Sequence, residues 1–162
     1  MKIEEIMNRN VICLKPKMTL KEAAEIFAKN NINGAPVVND SKRLLGILTI
    51  KDILKFIKGR MESIGIYVFP TPFDFMDILP VEIPVEHRDV IKEIARVRID
   101  EVMEKRVHYV DKDTDVYDAL NLLVKKGISR LPVVDENKKV IGIVTRSDIL
   151  RALALKSNKV SQ

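Results

Sequence analysis

The sequence has few of the residues from which most catalytic and metal sites are built. Its 162 residues include one cysteine, two histidines and no tryptophan. A single cysteine, Cys13, excludes an intramolecular disulfide, and without Cys-x-x-Cys or His-x-x-x-His spacing we expect no zinc site. We interpret Cys13 as a packing residue, since a free cysteine behaves as a small hydrophobe.

Enzyme and membrane motifs are missing as well. The six glycines form neither Gly-x-x-x-x-Gly-Lys nor Gly-x-Gly-x-x-Gly, and no Ser or Cys stands in a nucleophile-elbow pattern. No apolar run approaches the roughly 20 residues that span a bilayer. The N-terminus also lacks a signal-peptide core. We therefore predict a cytoplasmic protein that is not an enzyme.

What the chain does contain is an internal repeat. Residues 142–150, Gly-Ile-Val-Thr-Arg-Ser-Asp-Ile-Leu, echo residues 46–54, and an offset of 96 positions aligns 3–57 with 99–153 without a gap. One copy alone would be marginal, because a domain of about 60 residues buries only about 60% of its unfolded surface. We expect the two copies to share one core, with copy 1 over 1–57, an insertion over 58–98 and copy 2 over 99–162.

Each copy predicts a β-α-β-β-α order in a mixed α/β (α+β) fold. Thr19-x-x-Glu22 and Asp115-x-x-Asp118 mark the starts of the first helices, and apolar residues follow them at helical spacing. Short extended segments are expected at 11–14 and 107–110, and a second helix in copy 1 over 51–58. Since neither copy covers both faces of so small a sheet, we predict that the copies pack sheet to sheet about a pseudo-twofold axis.

The most specific pattern is Thr-x-x-Asp, which ends an apolar strand in both copies, at Thr49 to Asp52 and at Thr145 to Asp148. In one interpretation it is a capping box, worth about 1 kcal/mol. In the other, the free N–H groups of the helix start receive a phosphate while the Asp accepts bonds from sugar hydroxyls. The spacing allows both at once.

The insertion differs in composition from the two copies. The segment from Tyr67 to Pro84 holds four of the seven prolines and is apolar, so we expect an ordered loop rather than a helix or a flexible tether. A packed connector is the simplest interpretation, although long structured loops sometimes carry function. We predict a helix from about Glu86 to Met103 after it.

The chain resembles the cystathionine-β-synthase (CBS) domain pair, or Bateman module. The resemblance rests on the tandem order, on Leu-Pro-Val-Val-Asp at 131–135 and on its spacing to Gly-Ile-Val-Thr-Arg-Ser-Asp at 142–148. The resemblance covers about 110 of the 162 residues. It implies a regulatory module that binds AMP, ADP, ATP or S-adenosylmethionine in clefts between the copies and signals to a separate, unknown partner. It also implies a disc-shaped homodimer.

The resemblance further implies two clefts built across the copies. In one, Asp148 would bind the ribose while Thr145 and Ser147 approach the phosphate. The adenine would lie between apolar groups of Val11, Ile12, Ile32 and Asn33. The other would join Thr49, Lys51 and Asp52 to Val107, His108, Ile128, Ser129 and Arg130. Since Lys51 and Arg130 add cations, we expect this second cleft to prefer more highly phosphorylated nucleotides.

The closing helix of each copy carries more apolar residues than one core face needs, which predicts a homodimer through these helices. The residues are Ile53, Leu54, Phe56, Ile57, Ile149, Leu150, Leu153 and Leu155. Two other functions remain open. The net charge of +5 permits a nucleic-acid-associated or transcription-linked regulator, and a purely structural dimerisation unit would use the Thr-x-x-Asp motifs only as caps.

Overall fold

A computed structural model describes residues 1–65 and 88–160 of the chain. The segment from Tyr67 to Pro84, predicted as an ordered loop, lies outside the described residues. The helices are α1 (Leu20–Asn30), α2 (Ile50–Ser63), α3 (Arg88–Ala95), α4 (Val116–Lys126) and α5 (Arg146–Val160), with single 3₁₀ turns at Ile3–Glu5 and Ile99–Glu101. No helix in these ranges is both long and apolar enough to cross a bilayer.

Two small sheets accompany the helices, so the chain is a mixed α/β protein. β1 (Gly34–Val38) pairs with β2 (Leu44–Thr49). In the second sheet, β3 (Val110–Asp111) runs parallel to β4 (Arg130–Val134), which pairs antiparallel with β5 (Val140–Thr145). β1 is buried along its whole length, as its apolar run predicts. The predicted β-α-β-β-α order is thus present in copy 2.

The first predicted strand of each copy is shorter than the sequence indicates. In copy 1 it is reduced to one parallel bridge between Leu14 and Val37, and in copy 2 it is the two-residue β3, which starts with the same pairing of Val110 to Val133. The apolar residues before these pairs therefore lie outside the ladder.

The predicted helix starts are confirmed, with one change in detail. The Glu22 N–H donates to the Thr19 hydroxyl and the Thr19 N–H donates to the Glu22 carboxylate, which makes a full capping box. Asp115 caps α4 alone, because its carboxylate accepts from the Tyr117 N–H at 2.9 Å. α2 continues to Ser63, five residues beyond the predicted end at Lys58.

The chain forms two compact units that do not follow the two copies. The first unit comprises 1–15, 35–47 and 105–162, and the second comprises 16–34 and 48–104. The core of the first contains Ile3 and Met7 among side chains of copy 2, such as Leu123 and Ile149. The start of each copy has therefore joined the unit that holds the closing helix of the other copy.

We call residues 1–8 the first arm and residues 97–104 the second arm. The Ile3 N–H donates to the Thr114 carbonyl at 2.9 Å, and the Ile99 N–H donates to the Met18 carbonyl at 2.8 Å. These bonds are equivalent at the offset of 96. Ile3 and Ile99 are both fully buried, so the two arms anchor their units in the same way.

The second arm explains why the predicted helix from Glu86 to Met103 is wrong beyond α3. The helix ends at Ala95, because Ile99 is drawn into the core of its unit and the Asp100 N–H donates to the Pro16 carbonyl at 3.0 Å. No Gly or Pro marks this break, so tertiary burial overrides helix propensity.

Candidate ligand-binding site

The helix start at Thr49 is a capping box whose carboxylate is only partly used. The Oδ2 atom of Asp52 accepts bonds from the Thr49 N–H and from its hydroxyl, each at 2.9 Å. The Asp52 N–H in turn donates to the Thr49 hydroxyl at 3.2 Å. The other carboxylate oxygen, Oδ1, lies outside the cap.

The helix start at Thr145 repeats this geometry. Oδ2 of Asp148 accepts from the Thr145 N–H at 2.8 Å and from its hydroxyl at 2.7 Å. Its Oδ1 atom lies 3.9 Å from a guanidinium nitrogen of Arg151, one helical turn on. Since Arg151 is largely exposed, this pair is weak and leaves Oδ1 open to a ligand.

Each helix start adjoins the pre-proline segment of its own copy. The Ile50 N–H donates to the Asn33 carbonyl at 2.9 Å, and the Arg146 N–H donates to the Ser129 carbonyl at 3.1 Å. The Arg146 side chain also donates to the Ile128 carbonyl. These neighbours from the same copy were not predicted from the sequence. The antiparallel pairing of Arg130 with Thr145 brings Ser129 next to Arg146 and so requires the second contact.

A cavity lies beside each of the two aspartates, within its own unit. The cavity at Asp148 has a volume of about 330 Å³, and the one at Asp52 about 500 Å³. Both combine the helix face that carries the Asp with residues of an arm. The first is lined by Met1, Glu5, Ile6, Asp148, Arg151, Ala152 and Leu155. The second is lined by Asp52, Lys55, Phe56, Gly59, Arg60, Ser63, Glu101, Val102, Met103 and Glu104.

The arm residues of these cavities were missed from the sequence. A signal was present, because Glu5-Ile6-Met7 in the first arm matches Glu101-Val102-Met103 in the second at the offset of 96. The cation one turn after the aspartate is likewise repeated, as Lys55 and as Arg151. Each cavity thus has an arm glutamate, a capping aspartate and a cation.

The remaining predicted site residues differ in exposure. Half-buried are Val11, Ile12, Ile32, Val107, Ile128 and Arg130. Exposed are Asn33, Lys51, His108, Ser129 and Ser147. The guanidinium of Arg130 contacts the Ser129 hydroxyl, with Nη2 at 3.2 Å. The pairing of these residues across the copies stays a prediction.

In the described ranges, neither Cys13 nor the acidic residues indicate a nucleophile or a metal site. Burial raises the pKa of the half-buried Cys13 thiol, against the opposing charges of Lys42 and Lys15, so it is a poor nucleophile at neutral pH. Across 1–65 and 88–160, His, Cys, Asp and Glu form no group of three that could hold a metal ion.

A family profile for the CBS domain matches residues 3–59 and 99–155, more than two thirds of the chain. The chain therefore belongs to the CBS-domain family, as a tandem pair. This confirms the resemblance inferred from the repeat and from Leu-Pro-Val-Val-Asp. CBS pairs are regulatory ligand-binding modules and are generally not catalytic.

Similar proteins match nearly the whole chain. An uncharacterized protein of Methanocaldococcus jannaschii is 35% identical over 156 residues, which cover 94% of this chain and 91% of the relative. The CBS domain pair of protein MJ0100, in complex with 5′-methylthioadenosine and S-adenosyl-L-methionine, has a TM-score of 0.69 at 26% identity, covering 96% and 98%. The Arabidopsis thaliana CBS-pair protein CBSX2 has a TM-score of 0.73 at 24% identity, covering 97% and 96%.

Proposed function

We propose that this protein is a regulatory sensor of adenosine-containing ligands and that Asp52 and Asp148 bind the ribose hydroxyls. One observation carries the proposal. In both copies the cap engages only Oδ2 of the aspartate, while the same residue lines a cavity. A carboxylate oxygen fixed at a helix start is a strong acceptor for hydroxyl donors, because its bonds are charge-assisted.

The ligand chemistry is supported by the MJ0100 pair, whose two bound compounds share an adenosine moiety. At 26% identity that likeness favours adenosine recognition and does not select one compound. We assign the phosphate or sulfonium end of the ligand to the polar side chains beside each helix start. Thr145 and Ser147 would serve one site. Lys51 would serve the other, together with Arg130, which is assigned to that site from the sequence alone.

The adenine would lie against the half-buried apolar residues assigned from the sequence. For the Asp148 site these are Val11, Ile12 and Ile32, next to Asn33. For the Asp52 site they are Val107 and Ile128, next to His108 and Ser129. The bound state would then act on a separate regulated partner in the cytoplasm, without chemical change to the ligand.

A thermal-shift panel with AMP, ADP, ATP, S-adenosylmethionine and NAD tests this function. A ligand at 100 times its dissociation constant stabilises the folded state by about 2.7 kcal/mol. We expect at least one adenosine compound to do so, and the double variant Asp52→Asn with Asp148→Asn to lose the effect. Asp118→Asn, at an exposed position of α4 outside both cavities, is the control. If no compound raises the melting temperature, a purely structural role is favoured.

We also propose a homodimer through the closing helices. Leu150 and Leu155 of α5 are 62% and 63% exposed, which is unusual for large apolar side chains. Ile149, also assigned to this surface from the sequence, is instead fully buried in the core. Light scattering should give a dimer mass for the parent and a monomer mass for Leu150→Lys with Leu155→Lys. A monomeric parent at micromolar concentration, with and without ligand, would remove this proposal.

A further inference from the structure

The hairpin turns of the two copies meet within the first unit. We call the two turns, residues 39–43 and 135–139, the seam. The Leu44 N–H donates to the Lys138 carbonyl and the Val140 N–H donates to the Lys42 carbonyl, both at 3.0 Å. These reciprocal bonds hold the turns side by side, with Arg43 opposite Lys139 in an antiparallel bridge.

Four exposed cations are thereby brought together: Lys42, Arg43, Lys138 and Lys139. Like charges directly opposite each other on paired strands are destabilising. None of the four makes an ion pair with another residue of the described ranges. The fold therefore places four cationic side chains side by side at the surface, where an external anion can approach them.

The backbone at the seam points to the same conclusion. Lys42 and Lys138 have φ angles of 62° and 59°, in the left-handed region that favours Gly or Asn. Residues held in this region are more frequent at functional sites. Both turns accept this conformation and place an ammonium group where a glycine would fit more easily.

The acidic residues of the seam are largely engaged. Asp40 pairs with Lys15 at 3.4 Å, and the Asp135 carboxylate accepts from the N–H groups of Asn137 and Lys139 at 2.9 Å. Glu136 is exposed at the tip of its turn. The seam thus holds four cations and three carboxylates, and with Lys15 beside Asp40 the local net charge is +2.

An aromatic ring lies at the edge of the seam. Tyr109 is 41% exposed, and the Lys138 ammonium lies 5.6 Å from its ring centroid. A cationic strip next to an exposed aromatic ring is the combination that binds single-stranded nucleic acid, where cations follow the phosphates and bases stack. A lone nucleotide would use only part of such a strip.

We propose that the seam binds the phosphate backbone of single-stranded nucleic acid, independently of the adenosine sites. The test is fluorescence anisotropy with a labelled oligo-uridylate of about 20 nucleotides, long enough to exceed one site. For single strands the affinity falls with salt at a log–log slope of about −0.7 per phosphate contacted. Four cations therefore predict a slope of about −2.8.

The decisive variant is Arg43→Gln with Lys139→Gln, which should reduce the slope by about 1.4. The matched control, Lys125→Gln with Lys126→Gln, changes the net charge equally at the exposed end of α4 and should keep the parent slope. Removing the opposed charges should leave the melting temperature unchanged or raised, which separates lost binding from unfolding. Equal slopes for the two double variants, or a parent that does not bind the oligonucleotide, would overturn the proposal. Equal competition by tripolyphosphate, per phosphate, would show an anion site without nucleic-acid preference and would also overturn it.

Discussion

The helix starts at Thr49 and Thr145 have the same backbone geometry and different surroundings. Their capping bonds agree within 0.2 Å, with Thr hydroxyl to Asp Oδ2 distances of 2.9 and 2.7 Å. The cavities beside them do not agree, since one is lined by Phe56, Gly59 and Arg60 and has about 500 Å³. The other replaces Phe56 with Ala152 and Gly59 with Leu155, and has about 330 Å³.

We infer that the residues shared by the two copies build each site and that the differing residues select the ligand. The Thr and Asp fix the helix start and hold a carboxylate in one orientation, so both copies need them. The residues three, four and seven positions after the Asp do not bear on the cap, so they are free to differ. We infer that the two sites share ribose recognition and differ in the rest of the ligand.

The largest effect should come from the two arms, which anchor their units through equivalent bonds and equally buried isoleucines. Ile3→Ala and Ile99→Ala each remove a fully buried side chain and should lower the free energy of unfolding by about 2–5 kcal/mol. Urea denaturation measures it, with Val124→Ala, 68% exposed, as a control of little effect. An ordinary substitution lowers the free energy of unfolding by about 1 kcal/mol. A loss smaller than this for one of the two variants only would show that the arms are not equivalent.

The next effect concerns ligand binding. Asp148→Asn keeps an oxygen for the cap and removes the charge that strengthens the ribose bonds, at about 1.5–3 kcal/mol for a bond to a charged group. We expect affinity at that site to fall about 10- to 150-fold with little change in melting temperature. Calorimetry on Asp148→Asn and Asp52→Asn separately assigns each site. Unchanged binding in both variants would reduce the aspartates to caps.

The two threonine caps should contribute less to the free energy of unfolding than the arms do, and both by the same amount. Thr49→Ala and Thr145→Ala each remove one hydroxyl that accepts from the Asp N–H, and each should cost about 1 kcal/mol of stability. Thr→Ser at the same positions should restore most of it. Unequal costs, read from denaturation midpoints at constant slope, would show that one helix start depends more on its surroundings than on its cap.

Much of this fold was predictable because the signals were local and repeated. The Thr-x-x-Asp and Thr-x-x-Glu spacings predict three capping boxes, and all three are present in the structure. They join Thr49 to Asp52, Thr145 to Asp148 and Thr19 to Glu22. The strand at Leu131 and the turn after it follow from an apolar run that ends at a polar cluster. The resemblance added the family, which local patterns do not contain.

The rest depends on contacts that no local pattern specifies. The arms leave their own copies, so the neighbours of Ile3 and Ile99 lie far along the chain. The early end of α3 and the cavity residues Glu5 and Glu101 follow from the same exchange. The left-handed Lys42 and Lys138 were hidden too, because sequence reasoning expects glycine at such positions.

The smallest effect concerns one of the two positions at which the repeated Thr-x-x-Asp motif differs between the copies. Lys51 and Ser147 stand at the same place in the first turn and are both exposed. An exposed charge pair contributes about 0.2–1 kcal/mol, so Lys51→Ser should weaken ATP at its site about two- to fivefold more than AMP. Ser147→Lys should shift the other site towards ATP by a similar factor. Each titration is run by calorimetry with the second site removed by Asp→Asn, so that one site is measured at a time. Most lysines in an exposed first turn point into solvent, so the reciprocal swap is the sharper test. Equal losses of ATP and AMP affinity in both variants, or no loss, would show that the lysine does not reach the phosphates. The two sites would then differ only in the residues that line their cavities.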